Sequence, residues 1–127
     1  MDLEKLNKQH SYINLATTRK NGMLVRTPVW FTVLGDAIYV TTIKYSGKAK
    51  RIANFPTVQF APCDARGNLR GDWAEGTASI LGSDSDTTAI NQAFNRKYGL
   101  MKTLFELFGG GNQSDRIFIQ IISQPLH

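Results

Sequence analysis

The chain has 127 residues, of which 42% are apolar and 20% charged. That suits one globular domain large enough to bury a core without staples, and excludes a disordered chain. One cysteine, Cys63, rules out an intramolecular disulfide, and two histidines leave a zinc site short of its usual ligands. No apolar run is long enough to span a bilayer, and MDLEKLNKQH reads as a polar helix start rather than a signal peptide, so the expectation is a cytoplasmic protein with no membrane partner. A net charge of +5 points to an anionic partner, either a nucleic acid or a phosphorylated small molecule.

Residues 2–10 place Leu3 and Leu6 at helical spacing. Tyr12–Thr18 reads as a strand, with Tyr12, Asn14 and Ala16 on one face and Ile13, Leu15 and Thr17 on the other. Lys20-Asn21-Gly22 is a tight turn, because Asn-Gly tolerates the positive φ of a hairpin. Met23–Leu34 is the next strand; Pro28 cannot donate to a ladder, so an edge or a bulge is expected there. Gly35-Asp36 turns the chain into Ala37–Thr42, completing a meander of two hairpins.

A helix is predicted over Gly47–Asn54, with Ala49, Ile52 and Ala53 inward, followed by Pro56 and a strand over Thr57–Cys63. Lys48 and Arg51, three apart, share one flank of that helix, and Lys50 points elsewhere. Leu69–Leu81 reads as a long strand in which Gly71 and Gly76 mark a bend or bulge. Ser83 is the expected N-cap of a helix running to Tyr98, with Asp84 and Asp86 complementing its dipole and Ala89, Ile90, Ala93 and Phe94 as its apolar stripe. Leu100–Phe108 continues helically, Gly109-Gly110-Gly111 ends it, and Arg116–Ile122 is a last strand. Six strands with helical additions predict a small, mainly β, antiparallel barrel.

The stretch Val40–Pro56 carries the most chemistry. A β run ends in Thr41 and Thr42, Ser46 stands where an N-cap belongs, and Lys48 follows in the first turn. Backbone N–H groups and the positive end of the helix dipole would face an anion at that junction. The alternative is a solvated basic helix end. A Walker A loop is excluded, since Thr42 replaces its first glycine and Ala49 its Ser or Thr, which argues against nucleoside triphosphate hydrolysis.

Catalytic side chains are scarce. His10 ends the first helix, His127 is the last residue, and Asp72 and Glu75, three apart on the predicted strand, face opposite ways. Any chemistry is therefore expected of a bound cofactor that the protein holds and orients, with the catalytic residues unknown. In Arg26–Phe31, RTPVWF, a proline-interrupted edge leaves main-chain groups to hydrogen-bond a planar heterocycle, with Val29 and Trp30 as apolar walls. Trp30 is equally well explained as a core aromatic, and Trp73 better so.

The segments YINLATTRKNGMLVRTPVWF, YVTTIKYSGKAKRIANFPTVQFAPCDARG and GDWAEGTASI together resemble the pyridoxamine 5′-phosphate oxidase-like split-barrel superfamily, nearest its F420-dependent oxidoreductase branch. The likeness covers about Tyr12–Leu81 and weakens over the helices and last strand. It implies a six-stranded antiparallel split β-barrel of the FMN-binding type, a homodimer holding FMN or coenzyme F420 at the subunit interface. By position, Lys48 matches the family's phosphate-binding lysine, with Thr42 and Ser46 beside it and Lys50 and Arg51 as further anion contacts. Arg26, Thr27, Pro28, Val29 and Trp30 would run along the flavin or deazaflavin ring. The residues after the last predicted strand, Gln124-Pro125-Leu126-His127, do not match the extension with which pyridoxamine phosphate oxidases grip their substrate, so the shorter relatives are the better guide. The expected function is hydride transfer between this cofactor and a small molecule; a cofactor carrier or sensor is the alternative. Nucleic-acid binding is not expected, because the cations cluster at one turn and do not line a strip of exposed aromatics.

Overall fold

Two tight turns shape the first half of the chain. Gly22, at φ 86°, and Gly35, at φ 58°, take the left-handed backbone that an L side chain resists. Asn21 Oδ1 accepts the Met23 N–H at 3.0 Å, closing the first turn. These turns join β1 (Tyr12–Thr18), β2 (Leu24–Leu34) and β3 (Ala37–Ile43). The computed structural model describes residues 1–82, 86–99 and 116–124. Beyond the meander it contains β4 (Thr57–Cys63), β5 (Ala74–Ile80) and β6 (Arg116–Ser123), with helices α1 (Leu3–Gln9), α2 (Gly47–Asn54) and α3 (Thr88–Tyr98).

The strands close into an antiparallel barrel in the order β1-β2-β3-β6-β5-β4, and β4 pairs back onto β1. Strand β2 serves two neighbours in succession. Leu24–Trp30 pair with β1, and Phe31–Leu34 pair with β3. Pro28 pairs with Asn14 in an unbroken register, so it marks an edge rather than a bulge. Inside the barrel, Ile13, Leu15, Phe31, Val40, Phe60, Ile119 and Ile121 form the main core, joined by Leu6 of α1 and Ile52 of α2. A second cluster lies outside it, where Ile90, Phe94 and Tyr98 of α3 cover Trp30, Leu34, Tyr39 and Phe118.

Several expectations need correction. Strand β5 begins at Ala74, not Leu69, because residues 64–73 form a loop that folds back on the end of β4, with a single bridge from Cys63 to Leu69 and the Arg70 N–H donating to Pro62 O at 2.8 Å, and side chains that bond its backbone locally. Asp64 accepts from the Arg66 N–H at 2.8 Å and the Asn68 N–H at 3.0 Å, and Asn14 Nδ2 donates to Gly67 O at 3.1 Å. Asp72 thus lies outside any strand. Gly76 is no bulge either: its ladder is continuous, and a Cβ there would come within 2.8 Å of Ile121 Cγ2 and 2.9 Å of Ile122 O. The glycine admits a neighbouring strand. Ala53 and Ala89 are exposed, so the buried stripes are narrower than expected. Helix α3 begins at Thr88, where Asp86 Oδ1 accepts the Thr88 N–H at 3.0 Å. The predicted cap Ser83, Asp84, the helix over 100–108, the glycines 109–111 and His127 lie outside the described residues.

Candidate anion and cofactor site

The start of α2 is assembled from hydroxyl groups. Ser46 is its N-cap, and Ser46 Oγ accepts the Ala49 N–H at 3.2 Å. Thr42, buried at the end of β3, donates its Oγ1 hydroxyl to Ser46 Oγ at 3.0 Å. With Ala49 capped and the Lys50 N–H bonded to Ser46 O at 3.2 Å, the N–H groups of Gly47 and Lys48 remain as first-turn donors without an intrahelical acceptor. They are the donors an anion would use.

Two cations, Lys48 and Arg51, gather at this helix start. Arg51 reaches back along α2, its Nε–H donating to Thr17 Oγ1 at 2.6 Å. Its guanidinium lies over Gly47, where a Cβ would stand 2.6 Å from Nη1. Burial, and then the charge of Arg51, lower the proton affinity of the half-buried Lys48. Burial, and then the charge of Arg19, act likewise on Arg51. Arg51 thus acts as a like charge on Lys48, and Arg19 as one on Arg51. Among the described residues, the two ion pairs are Lys8–Glu4 and Arg70–Asp64, and neither touches this group.

Thr42, Ser46, Lys48 and Arg51 are therefore brought together. Thr41 is adjacent in sequence to Thr42 but points to the opposite face of β3, and Lys50 is exposed on another side of α2. Thr17 and Arg19 were missed by sequence reasoning. Their signal was a hydroxyl on the inner face at a strand's end, two residues before an arginine at the hairpin.

The Arg26–Trp30 segment starts at the same end of the barrel, since Thr17 pairs with Val25 and Ala16 with Arg26. Its side chains diverge. Val29 is in the barrel core and Thr27 shares its face, whereas Arg26, Pro28 and Trp30 face outward. Arg26 is exposed, with its guanidinium carbon 5.3 Å from the centroid of the half-buried Trp73 ring. Trp30 stacks on Tyr98 with centroids 4.5 Å apart and planes 13° apart, so one face of its ring packs α3. Among the described residues, β3 pairs with β2 only from Phe31 onward, leaving the main chain of the Arg26 segment on an edge.

A separate cleft of about 300 Å³ lies on the outer side of β1 and β4, lined by Thr18, Leu24, Phe55, Pro56, Gln59 and Glu75 among others. It includes none of the anticipated site residues. Among the described residues, no group of His, Cys, Asp or Glu could hold a metal ion, and no helix is long and apolar enough to cross a membrane.

No family model matches the sequence, and no curated protein matches it. Solved structures do. A Listeria innocua protein assigned as a pyridoxamine 5′-phosphate oxidase superposes with a TM-score of 0.68 at 15% identity, over 96% of this chain and 90% of that one. An F420 reductase gives 0.64 at 21% identity, over 98% and 95%. The heme storage protein HutZ of Vibrio cholerae gives 0.66 at 14% identity, over 98% and 88%. The chain has the split-barrel fold of the pyridoxamine 5′-phosphate oxidase-like proteins. Those three names show that the fold alone does not decide the chemistry.

Proposed function

We propose that the protein is an oxidoreductase that holds FMN or coenzyme F420 and exchanges electrons with a small-molecule substrate. The observation carrying this reading is the convergence of Ser46, Lys48, Arg51 and two first-turn N–H groups at the start of α2. These donors fit the phosphate of such a cofactor. When bound, the cofactor supplies hydride transfer, which the side chains described here do not.

The chain's own residues bind and orient. Lys48 and Arg51 hold the phosphate by charge, and Ser46, itself held by Thr42, shapes the turn around it. The outward edge of Arg26–Trp30 offers main-chain donors and acceptors to the ring, and Arg26 and Pro28 border it. Trp30 has a second task in packing α3, and Val29 acts through the barrel core rather than as a wall. A homodimer is part of the proposal: Leu24 and Phe55, 43% and 40% exposed beside the outer cleft, suit burial against a second copy.

Titration of the purified protein with FMN and with F420, followed by turnover of the bound, reduced cofactor against a panel of acceptors, tests this reading. Binding with turnover supports it. Binding without turnover favours the carrier or sensor, a reading to which the likeness to a heme storage protein lends weight. Failure of both cofactors to bind refutes both.

A further inference from the structure

We propose that the outer cleft beside the C-terminal end of α2 binds a small organic cation, an ammonium or amidinium group on an apolar body, with Glu75 as its counter-charge. The site lies apart from the start of α2, and its occupancy does not depend on the cofactor reading. Its volume of about 300 Å³ is at the small end of the range for ligand sites, roughly 300–1,000 Å³. Phe55 and Pro56, which run on from α2, join Leu24 at the start of β2 as an apolar rim. The polar part comes from the sheet, where Gln59 of β4 pairs with Glu75 of β5 on one side and with Ala16 of β1 on the other. Ala16 is small and buried, so the row dips there. In the homodimer proposed above, a second copy resting on Leu24 and Phe55 would roof this cleft rather than fill it.

Two negative features meet at the cleft. The first is the Glu75 carboxylate. In a chain with 15 Lys and Arg against 10 Asp and Glu, it has no ion pair among the described residues, where the two pairs use Glu4 and Asp64. The cation that ends its cross-strand row is Arg26, opposite Ala16. Arg26 stands three strands away, roughly 14 Å at the usual strand spacing, and its guanidinium rests on Trp73. The second feature is the end of α2, which carries roughly half a negative charge. A cation in the last turn ordinarily offsets that pole. Here the last-turn cation, Arg51, is turned back over Gly47 and bonded to Thr17. Pro56 has no N–H, so the Ile52 carbonyl lacks the donor that position 56 would otherwise bring to it. A neutral or anionic occupant would leave both features uncompensated. A cation answers both, and the Phe55 ring at the rim offers it an aromatic face.

Titration of the full chain with benzylamine, benzyl alcohol and benzoate near neutral pH, followed through the backbone amide resonances, tests this in wild type and Glu75→Gln. Benzylamine, protonated under these conditions, should shift the amides of Ala16, Phe55, Gln59 and Glu75 in a saturable way. It should bind about 3- to 10-fold more tightly than benzyl alcohol, the scale of an exposed to half-buried charge-assisted contact, with benzoate weakest. Glu75→Gln should remove that advantage and leave benzyl alcohol unchanged. Glu75 is exposed and glutamine keeps its size, so the variant should fold as wild type does. Phe55→Ala, a second variant, should weaken the amine and the alcohol together. Added salt should shrink the preference for the amine. Equal affinity for amine and alcohol, or an amine affinity unchanged in Glu75→Gln, would overturn the cation assignment. Saturable shifts confined to other faces, or none at all, would overturn the site itself. The titration contains neither FMN nor F420, so its failure is distinct from failure of the cofactor reading.

Discussion

Tyr98 Oη stands between the two main-chain groups of Phe31, accepting its N–H at 2.8 Å and lying 2.7 Å from its carbonyl oxygen. The same hydroxyl lies 2.9 Å from Ser11 O, so its one proton is shared between two carbonyls. This is the point where β2 leaves β1, after the Tyr12–Trp30 pair, and joins β3 at the Phe31–Val40 pair. A side chain of α3 thus replaces a rung at the seam of the barrel. Burial raises the phenol's pKa, with a smaller push from Tyr12 and an opposing pull from the Phe31 hydrogen bond, so the hydroxyl stays protonated.

Replacing Tyr98 with phenylalanine keeps the ring against Trp30 and removes only the rung. Buried main-chain groups of Phe31 then lose their partner, which should cost about 1–3 kcal/mol in urea unfolding. A loss below about 0.5 kcal/mol would show that another group closes the seam.

Lys97 lies beside that tyrosine, its Nζ 3.4 Å from the Phe31 ring centroid and donating to Asn7 Oδ1 at 2.9 Å. Burial pulls its pKa down from 10.5 to about 7. Below pH ~7 the amine is charged in both states and the folded state bears the desolvation penalty. Between that pH and about 10.5 the unfolded chain binds more protons, so stability attributable to this group rises with pH. Lys97→Met should therefore stabilise more at pH 6 than at pH 10. Melting curves of the two proteins across that range give the difference, and a pH-independent difference would contradict the argument.

Cys63 is buried on β4, and burial, helped by the Asp64 charge, pushes its thiol up to about 11. Little thiolate exists near neutral pH, and the sulfur is poorly accessible. A chromogenic disulfide reagent should label the native protein far more slowly than the urea-unfolded one. Comparable rates would mean that β4 opens readily at that end.

Gly47→Ala separates site from scaffold. An added Cβ would meet only the far end of Arg51, at 2.6 Å from Nη1, and alanine is the better helix former. Stability should stay level or rise slightly, while FMN affinity falls because the guanidinium is displaced. Retained affinity would remove Arg51 from the site.

Local chemistry was legible where it acts over a few residues. The Asn21-Gly22 turn, the Ser46 cap and the bounds of α2 and β4 all follow from neighbouring side chains. The barrel was legible as a class because six β runs with little else must close their edges. Contacts across long separations were not. Nothing near Phe31 announces that Tyr98, 67 residues on, will complete its hydrogen bonds. Trp30 looked equally suited to core and cofactor because a strand residue's face is set by its neighbours, and α3 covers one side of its ring. Residues 69–73 read as strand because Leu69 and Trp73 have β-type side chains, whereas the turn before them, where Asp64 captures the backbone locally, extends into a loop. In the candidate site, Ser46 and Lys48 were readable from helix-start chemistry. Thr17 and Arg19 required knowing that the end of β1 meets the flank of α2.

The most direct measurement is a fluorescence titration of wild type and Lys48→Ala with FMN and with F420. Wild type should bind at least one of them. The substitution should weaken that binding by about 1.5–3 kcal/mol, the contribution of a charge-assisted hydrogen bond, while the melting temperature stays the same or rises because a half-buried charge is removed. Equal affinity in the two folded proteins would contradict the phosphate site, and the start of α2 would then be an ordinary basic helix end.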